Sequence, residues 1–268
     1  MDSVIQGNIE RFSGFAEDYD KVRPEMPPEA ITIILKYLER KPECIIDLGS
    51  GTGLSTLPWE NYSTRIIGVE PNKDMLAIAA KKATHNGHVN FIQGVSNDTG
   101  LDDNCSDIVT CSQSFHWMEP TTTLKEVARI LKEGGVFSTY DCDWPVCAGF
   151  EVEAAYNRLF EAVWTIEKSH PEIKGTFKQW NKSGHLDQIR KCGLFRFSKE
   201  IVFHHVEKCD SQRFIGLALS QGGLQSVLKN NIVEIIPFIE DLERITTNYF
   251  SNAEKEIIVC YRMRLAVK

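Results

Sequence analysis

The stretch CIIDLGSGTG at residues 44–53 constrains this chain more than any other. An apolar run of strand length ends in an acid, Asp47. Glycines then follow at every second position, at 49, 51 and 53. Each glycine costs backbone entropy on folding, so three together need a reason. A tight strand-to-helix turn is one. A backbone that comes very close to a ligand is the other.

The surrounding pattern decides what kind of turn this is. CIIDL at 44–48, RIIGVE at 65–70, VNFIQG at 89–94, DIVTCSQSF at 107–115 and GVFSTYD at 135–141 are short apolar runs of strand type. Helical spacing marks 28–39, 72–83 and 123–135, with Asn72 as an N-cap and glycines closing the last. Pro58 leaves room for only a short helix after Gly53. Strands alternating with helices predict right-handed βαβ units and a doubly wound, mostly parallel α/β sheet with helices on both faces. Beyond residue 150 the rhythm changes. Helices are expected at 151–168 and 185–194 and strands at 197–206 and 254–267. Residues 210–249 are expected as a helical insertion near the C-terminus. With seven strands and no Pro-, Gly- or Ser-rich linker, a single domain is expected over 1–268.

Composition narrows the function. The chain has 268 residues and a formal net charge of −7. A duplex binder needs a basic face, and an acidic chain with scattered Lys and Arg points away from one without excluding a local patch, so no nucleic acid partner is expected. No run approaches the roughly 18 apolar residues of a membrane span, and residues 1–12 carry no apolar signal core. The eight cysteines form no CxxC pair and no Cys/His group has zinc spacing. The expectation is a cytoplasmic protein, a monomer or homodimer, with no metal.

In a doubly wound sheet, ligands bind beyond the carboxyl ends of the strands where strand order reverses. A glycine turn there presents backbone N–H groups to the ligand. The spacing here is GxGxG rather than the dinucleotide GxGxxG, because position 54 is Leu. A P-loop is excluded because no GK[ST] follows. Glu70 lies 21 residues past Gly49, at the end of the second strand. A carboxylate there accepts hydrogen bonds from both hydroxyls of a ribose and repels a 2′-phosphate.

At these residues the chain resembles the class I S-adenosylmethionine-dependent methyltransferases, which have a Rossmann-like seven-stranded sheet. The resemblance is carried by IIDLGSGTG at 45–53, GVEP at 68–71, FIQGVS at 91–96 and DIVTCSQSFHWM at 107–118, and covers roughly 40–145. FSGFAEDYDKVRPEMP at 12–27 and FHWM at 115–118 are similar to the trans-aconitate methyltransferase-like branch, which acts on small molecules. The resemblance implies that Asp47, Gly49, Ser50, Gly51 and Gly53 hold the methionine part of the cofactor, with Glu70 on the ribose and Pro71 on the adenine. It places Val95 and Ser96 beside the adenine and Gln113 beside the methionine moiety. Two departures stand out: GVSN near the third strand's end where the family has GxAE-like residues, and the early Pro58.

His116 and Trp117 follow the fourth strand at the ligand-facing rim. His116 is a candidate base, and Phe115 and Trp117 are candidate walls for the substrate. Tyr19 is a candidate cover for the cofactor, within an N-terminal lid at 1–30. Arg23 is a candidate contact to an anionic group. The segments 151–185 and 210–249 are candidate caps that set acceptor choice. The expected reaction is methyl transfer from S-adenosylmethionine to a small acceptor, such as a carboxylate, leaving S-adenosylhomocysteine. A NAD-dependent oxidoreductase and a non-catalytic cofactor-binding module are the competing readings.

Overall fold

Cys44–Leu48 forms strand β1, and all five of its residues are buried. Central strands of a parallel sheet are covered on both faces, which is why they are apolar throughout rather than alternating. In a computed structural model that describes residues 3–84, 87–170, 173 and 177–268, the chain runs as follows. Helices α1 (Ser3–Glu10), α2 (Ala16–Val22) and α3 (Pro28–Leu38) precede β1. Then come β2 (Arg65–Val69), α4 (Lys73–Lys82), β3 (Val89–Ile92), β4 (Ser106–Ser112), α5 (Pro120–Ile130) and β5 (Leu131–Cys142). The remainder is α6 (Phe150–Ser169), α7 (His185–Lys191), β6 (Phe197–Cys209), α8 (Ser211–Leu219), α9 (Gly222–Lys229), α10 (Ile236–Phe250) and β7 (Lys255–Val267).

The seven strands form one sheet in the order β3-β2-β1-β4-β5-β7-β6. The pairs β1–β2, β1–β4, β2–β3 and β4–β5 are parallel. The β5–β7 pairing is antiparallel, with Gly134 N–H donating to Lys268 O and Lys268 N–H to Gly135 O. Chain order runs outward from β1 to β3 and then restarts at β4 on the other side of β1. The reversal therefore falls between β1 and β4, and the crevice expected of such a sheet lies at their carboxyl ends.

The chain divides into two compact units. One holds residues 24–141, 178–203 and 261–268. Its core on one side of the sheet contains Ile46, Leu48, Val69, Val109 and Phe137 together with Leu124, Val127 and Ile130 of α5. The alternate residues Ile45, Ile66 and Ile108 point to the other face and are also fully buried. The second unit holds residues 1–23, 142–177 and 204–260 and is mostly helical. Its spine is α6, whose buried Val152, Ala155, Tyr156, Leu159, Val163 and Ile166 follow helical spacing, and α10 packs along it.

One local expectation is corrected. The helix expected over 123–135 starts at Pro120, behind the side-chain cap of Glu119, and ends at Ile130. Leu131 is already paired with Ser106, and the register jumps so that Ile108 meets Val136. The glycines at 134 and 135 serve that bulge rather than a helix cap. Gly134 takes φ +72, and a Cβ on Gly135 would lie 2.8 Å from Lys132 O. After Gly53, the short helix is a single 3-10 turn at Leu57–Trp59, with Pro58 in its first positions. Asn72, by contrast, caps α4 as expected, accepting from the N–H groups of Asp74 and Met75 at 3.0 and 3.1 Å.

Candidate functional site

The three glycines of the loop after β1 are there for different reasons. All have positive φ: +68 at Gly49, +55 at Gly51 and +89 at Gly53. L-residues with a side chain rarely adopt this conformation. A Cβ on Gly49 would lie 2.7 Å from Ser114 Cβ, and one on Gly53 would lie 2.9 Å from Phe91 Cζ. Those two also let neighbouring chain pack close. A Cβ on Gly51 would meet nothing within 4 Å. Gly51 is thus the point at which the turn faces open space.

Asp47 holds the loop from below. It is fully buried, and its Oδ2 accepts from Ser55 Oγ at 2.6 Å and Thr56 Oγ1 at 2.7 Å. Its Oδ1 accepts from Thr110 Oγ1 of β4 at 2.8 Å. Burial raises its carboxyl above the ordinary range, and the three hydroxyl donors pull against that rise. Through these bonds one side chain fixes the loop to the two strands that flank the crevice. Ser50 lies within the loop with its Oγ buried and without a hydrogen-bond partner among the described residues.

Glu70 ties the loop to β2. Its Oε2 accepts from the Gly51 N–H at 2.9 Å and its Oε1 from the Asn72 N–H at 2.8 Å. Each oxygen keeps acceptor capacity beyond that one bond. Burial pushes the carboxyl up to about 7, against the lowering effect of the two N–H donors. Gly68 of β2 has to be small: a Cβ there would lie 2.4 Å from the Phe91 ring. The sequence marked this residue only as part of GVEP at 68–71; its place opposite Asp47 comes from the β1–β2 register.

The remaining expected residues surround this centre to different degrees. Pro71 is half-buried beside Glu70. Val95 and Ser96 lie past the end of β3, where Val95 bridges to Asp98 and Ser96 Oγ sits 2.9 Å from Thr123 Oγ1. Gln113, just past β4, has φ +49, and its N–H donates to Tyr140 O. A non-glycine residue held there is strained by about 1–3 kcal/mol, and such strain clusters at functional sites.

Phe115–Trp117 forms a 3-10 turn after β4. Phe115 is fully buried, edge-on to Phe137 and to His185 with centroids 5.8 and 4.9 Å away. This corrects the expectation of a substrate wall: the turn rotates Phe115 into the core. Trp117 is half-buried against the His116 ring. His116 is buried with its Nδ1 3.0 Å from Asp141 Oδ1. Asp141 ends as the hub of a buried charge cluster. Lys182 Nζ stands 3.0 Å away, Arg264 Nη1 3.4 Å and His185 Nδ1 3.9 Å. Burial alone would raise its carboxyl, but His116 and Lys182 outweigh burial and hold it well below the usual carboxylate range. His185 is fully buried, and its ring nitrogens make no hydrogen bond among the described residues. Burial pushes it down to about 4. The β4–β5 register sets Ser112 beside Tyr140 and so brings the two strand ends together.

Tyr19 and Arg23 belong to the helical unit. Arg23 is buried, not solvated, and bonds Ser220 within that unit.

Residues 46–139 match the family model described as a methyltransferase domain. An uncharacterized methyltransferase of Mycobacterium tuberculosis is 35% identical over 119 residues, 44% of this chain and 46% of its own length. A probable S-adenosylmethionine-dependent methyltransferase of Saccharomyces cerevisiae is 28% identical over 124 residues, 45% of this chain and 43% of its own. The chain thus spans less than half the length of these curated relatives. In fold, it is similar to a putative type II methyltransferase from Anaeromyxobacter dehalogenans. The TM-score is 0.66 at 16% identity, covering 91% of this chain and 97% of that one.

Proposed function

We propose, on the premise that residues 46–139 form a class I methyltransferase domain, that this chain transfers a methyl group from S-adenosylmethionine to a small-molecule acceptor. One observation carries the reading. The Gly51 backbone faces open space while its N–H is fixed by the Glu70 carboxylate, so an open turn and an acid one strand over act as one unit. Residues 49–53 would hold the methionine end, Glu70 the ribose and Pro71 the adenine, with Val95, Ser96 and Gln113 at the rim. The cofactor supplies a methyl group already activated on a sulfonium.

The chain's own work is positioning, exclusion of water and, for some acceptors, proton removal. Reacting atoms must be held about 3–3.5 Å apart and aligned. A carboxylate acceptor needs no base. A hydroxyl, thiol or amine does, and His116 is the candidate. Asp141 Oδ1, 3.0 Å from its Nδ1, is the carboxylate that would stabilise the ring in its protonated form. The acceptor is in the manner of the trans-aconitate methyltransferase-like branch, with residues 1–30, 151–185 and 210–249 selecting it.

Calorimetry with S-adenosylmethionine and S-adenosylhomocysteine tests the reading, with NAD as the control titrant. Saturable one-to-one binding of the first two is expected. Binding of NAD alone, or of none, overturns it. Incubation of a metabolite pool with methyl-labelled cofactor then separates an enzyme from a binding module. Label in a small product is the expected result.

A further inference from the structure

We propose that the helical unit contains an oxyanion site centred on Arg23, which binds a carboxylate or phosphate group of a small molecule. Arg23 follows α2 and is only 9% exposed. Its Nε donates to Ser220 Oγ at 2.9 Å and its Nη2 to Ser220 O at 3.0 Å. Both acceptors are neutral. No carboxylate pairs with Arg23 among the described residues.

Two other arginines with buried side chains behave differently. Arg11 stands 3.4 Å from Glu167, and Arg264 stands 3.0 Å from Glu200 and 3.4 Å from Asp141. Burying a guanidinium without a counter-charge is costly, so those two carry one, while Arg23 carries none among the described residues. The guanidinium carbon lies 5.0 Å from the ring centres of both Tyr19 and Trp144, whose faces offset part of that cost.

The geometry also selects the anion. A guanidinium has five N–H donors in a fixed fork, and Ser220 takes two along the Nε–Nη2 edge. The Nη1–Nη2 edge keeps its pair of parallel donors, the arrangement that grips carboxylate and phosphate with two bonds. The neighbourhood is flat and amphipathic. Trp144 stacks on Tyr156 with 12° between the planes, and Gln221 Nε2 donates to the Tyr156 hydroxyl at 3.2 Å. Every one of these residues lies in the helical unit. A planar acid with an apolar body fits this chemistry better than a neutral or cationic ligand does.

The test uses the full chain saturated with S-adenosylhomocysteine, titrated with benzoate, phenyl phosphate and neutral benzamide. At least one anion is expected to bind saturably, and benzamide is not. Benzoate alone would identify a carboxylate site, phenyl phosphate alone a phosphate site. Arg23→Gln is expected to weaken the anion about tenfold or more while S-adenosylhomocysteine affinity stays within about twofold. Should Arg23→Gln lose helical circular dichroism, Arg23→Lys replaces it. It keeps the charge, loses the fork and is expected to weaken the anion about threefold or more. Failure of both anions on the wild type, or unchanged anion affinity in the variant that folds, overturns the oxyanion site. A chain that binds S-adenosylhomocysteine but neither anion sinks this inference and leaves the methyltransferase reading standing. Benzoate binding without S-adenosylhomocysteine binding does the reverse.

Discussion

Gly51→Ala separates the two explanations for the glycine turn. The residue has φ +55 and no atom within 4 Å of where a Cβ would sit. The folded state therefore incurs only the left-handed backbone cost of an alanine, about 1–2 kcal/mol. The lower entropy of the unfolded alanine chain adds to the destabilisation no further, and returns about 0.4–1 kcal/mol. The net loss is about 1 kcal/mol, or roughly 2–4 °C in Tm for a chain of this size. Gly49→Ala starts from a similar φ, +68, but drives its Cβ to 2.7 Å from Ser114 Cβ and 2.8 Å from Met118 Cε. Overpacking of that kind adds about 1–3 kcal/mol. Urea unfolding should therefore rank wild type, Gly51→Ala and Gly49→Ala in falling order. Calorimetry with S-adenosylhomocysteine should show a different result. Gly51→Ala places a methyl in the open space that the cofactor is proposed to fill, so its affinity should fall about tenfold or more, well beyond its stability loss. A Gly51→Ala protein that binds S-adenosylhomocysteine like the wild type would refute the cradle and leave only a tight turn.

Three further outcomes follow from the buried charges. Glu70 is pushed up to about 7 from an ordinary 4.5, so the native chain keeps a proton that the unfolded chain has released. Its contribution to stability is complete below pH 4.5 and is lost as pH rises to about 7. His185, pushed down to about 4 from 6.5, works oppositely: its contribution is complete above pH 6.5 and is lost as pH falls to about 4. Relative to wild type, Glu70→Gln should make stability rise more steeply with pH between 4.5 and 6.5, and His185→Phe should make it rise less; identical urea-midpoint slopes in all three proteins would refute these assignments. Because ribose hydroxyls donate to an ionised carboxylate, S-adenosylhomocysteine affinity should climb as pH passes about 7, and lose that dependence in Glu70→Gln. Asp141→Asn strips the cluster of the carboxylate that faces His116, Lys182 and Arg264, and should cost about 3–5 kcal/mol in urea unfolding. A loss under about 1 kcal/mol would mean the cluster is already solvated.

Legibility in the sequence followed the range of the interaction. The strand–glycine–acid unit was visible because its parts are local. CIIDL is apolar enough to be a strand covered on both sides, and the glycines announce their positive φ. Glu70 ends a strand whose length the pattern supplies. Asn72 was visible for the same reason, since a cap bonds within three residues of itself. The helix expected over 123–135 forms but ends at Ile130, because the glycines at 134 and 135 carry the same signature in a bulge as in a cap. Only pairing with β4 distinguishes them.

The sequence by itself thus determined the order of strands and helices, the loop that bends without side chains and the acid set beside it. Each of these is governed by backbone dihedrals and hydrophobic period, which a few neighbouring residues settle. Tertiary structure alone decided which polar groups share a buried environment. His116 meets Asp141 across two strand ends, Arg264 joins them from the last strand, and Ser220 meets Arg23 from 197 positions away. Phe115 turned to the core rather than outward for the same reason. Such contacts depend on register and packing between distant elements, and the cost of burying a charge appears only once its neighbours are fixed in space.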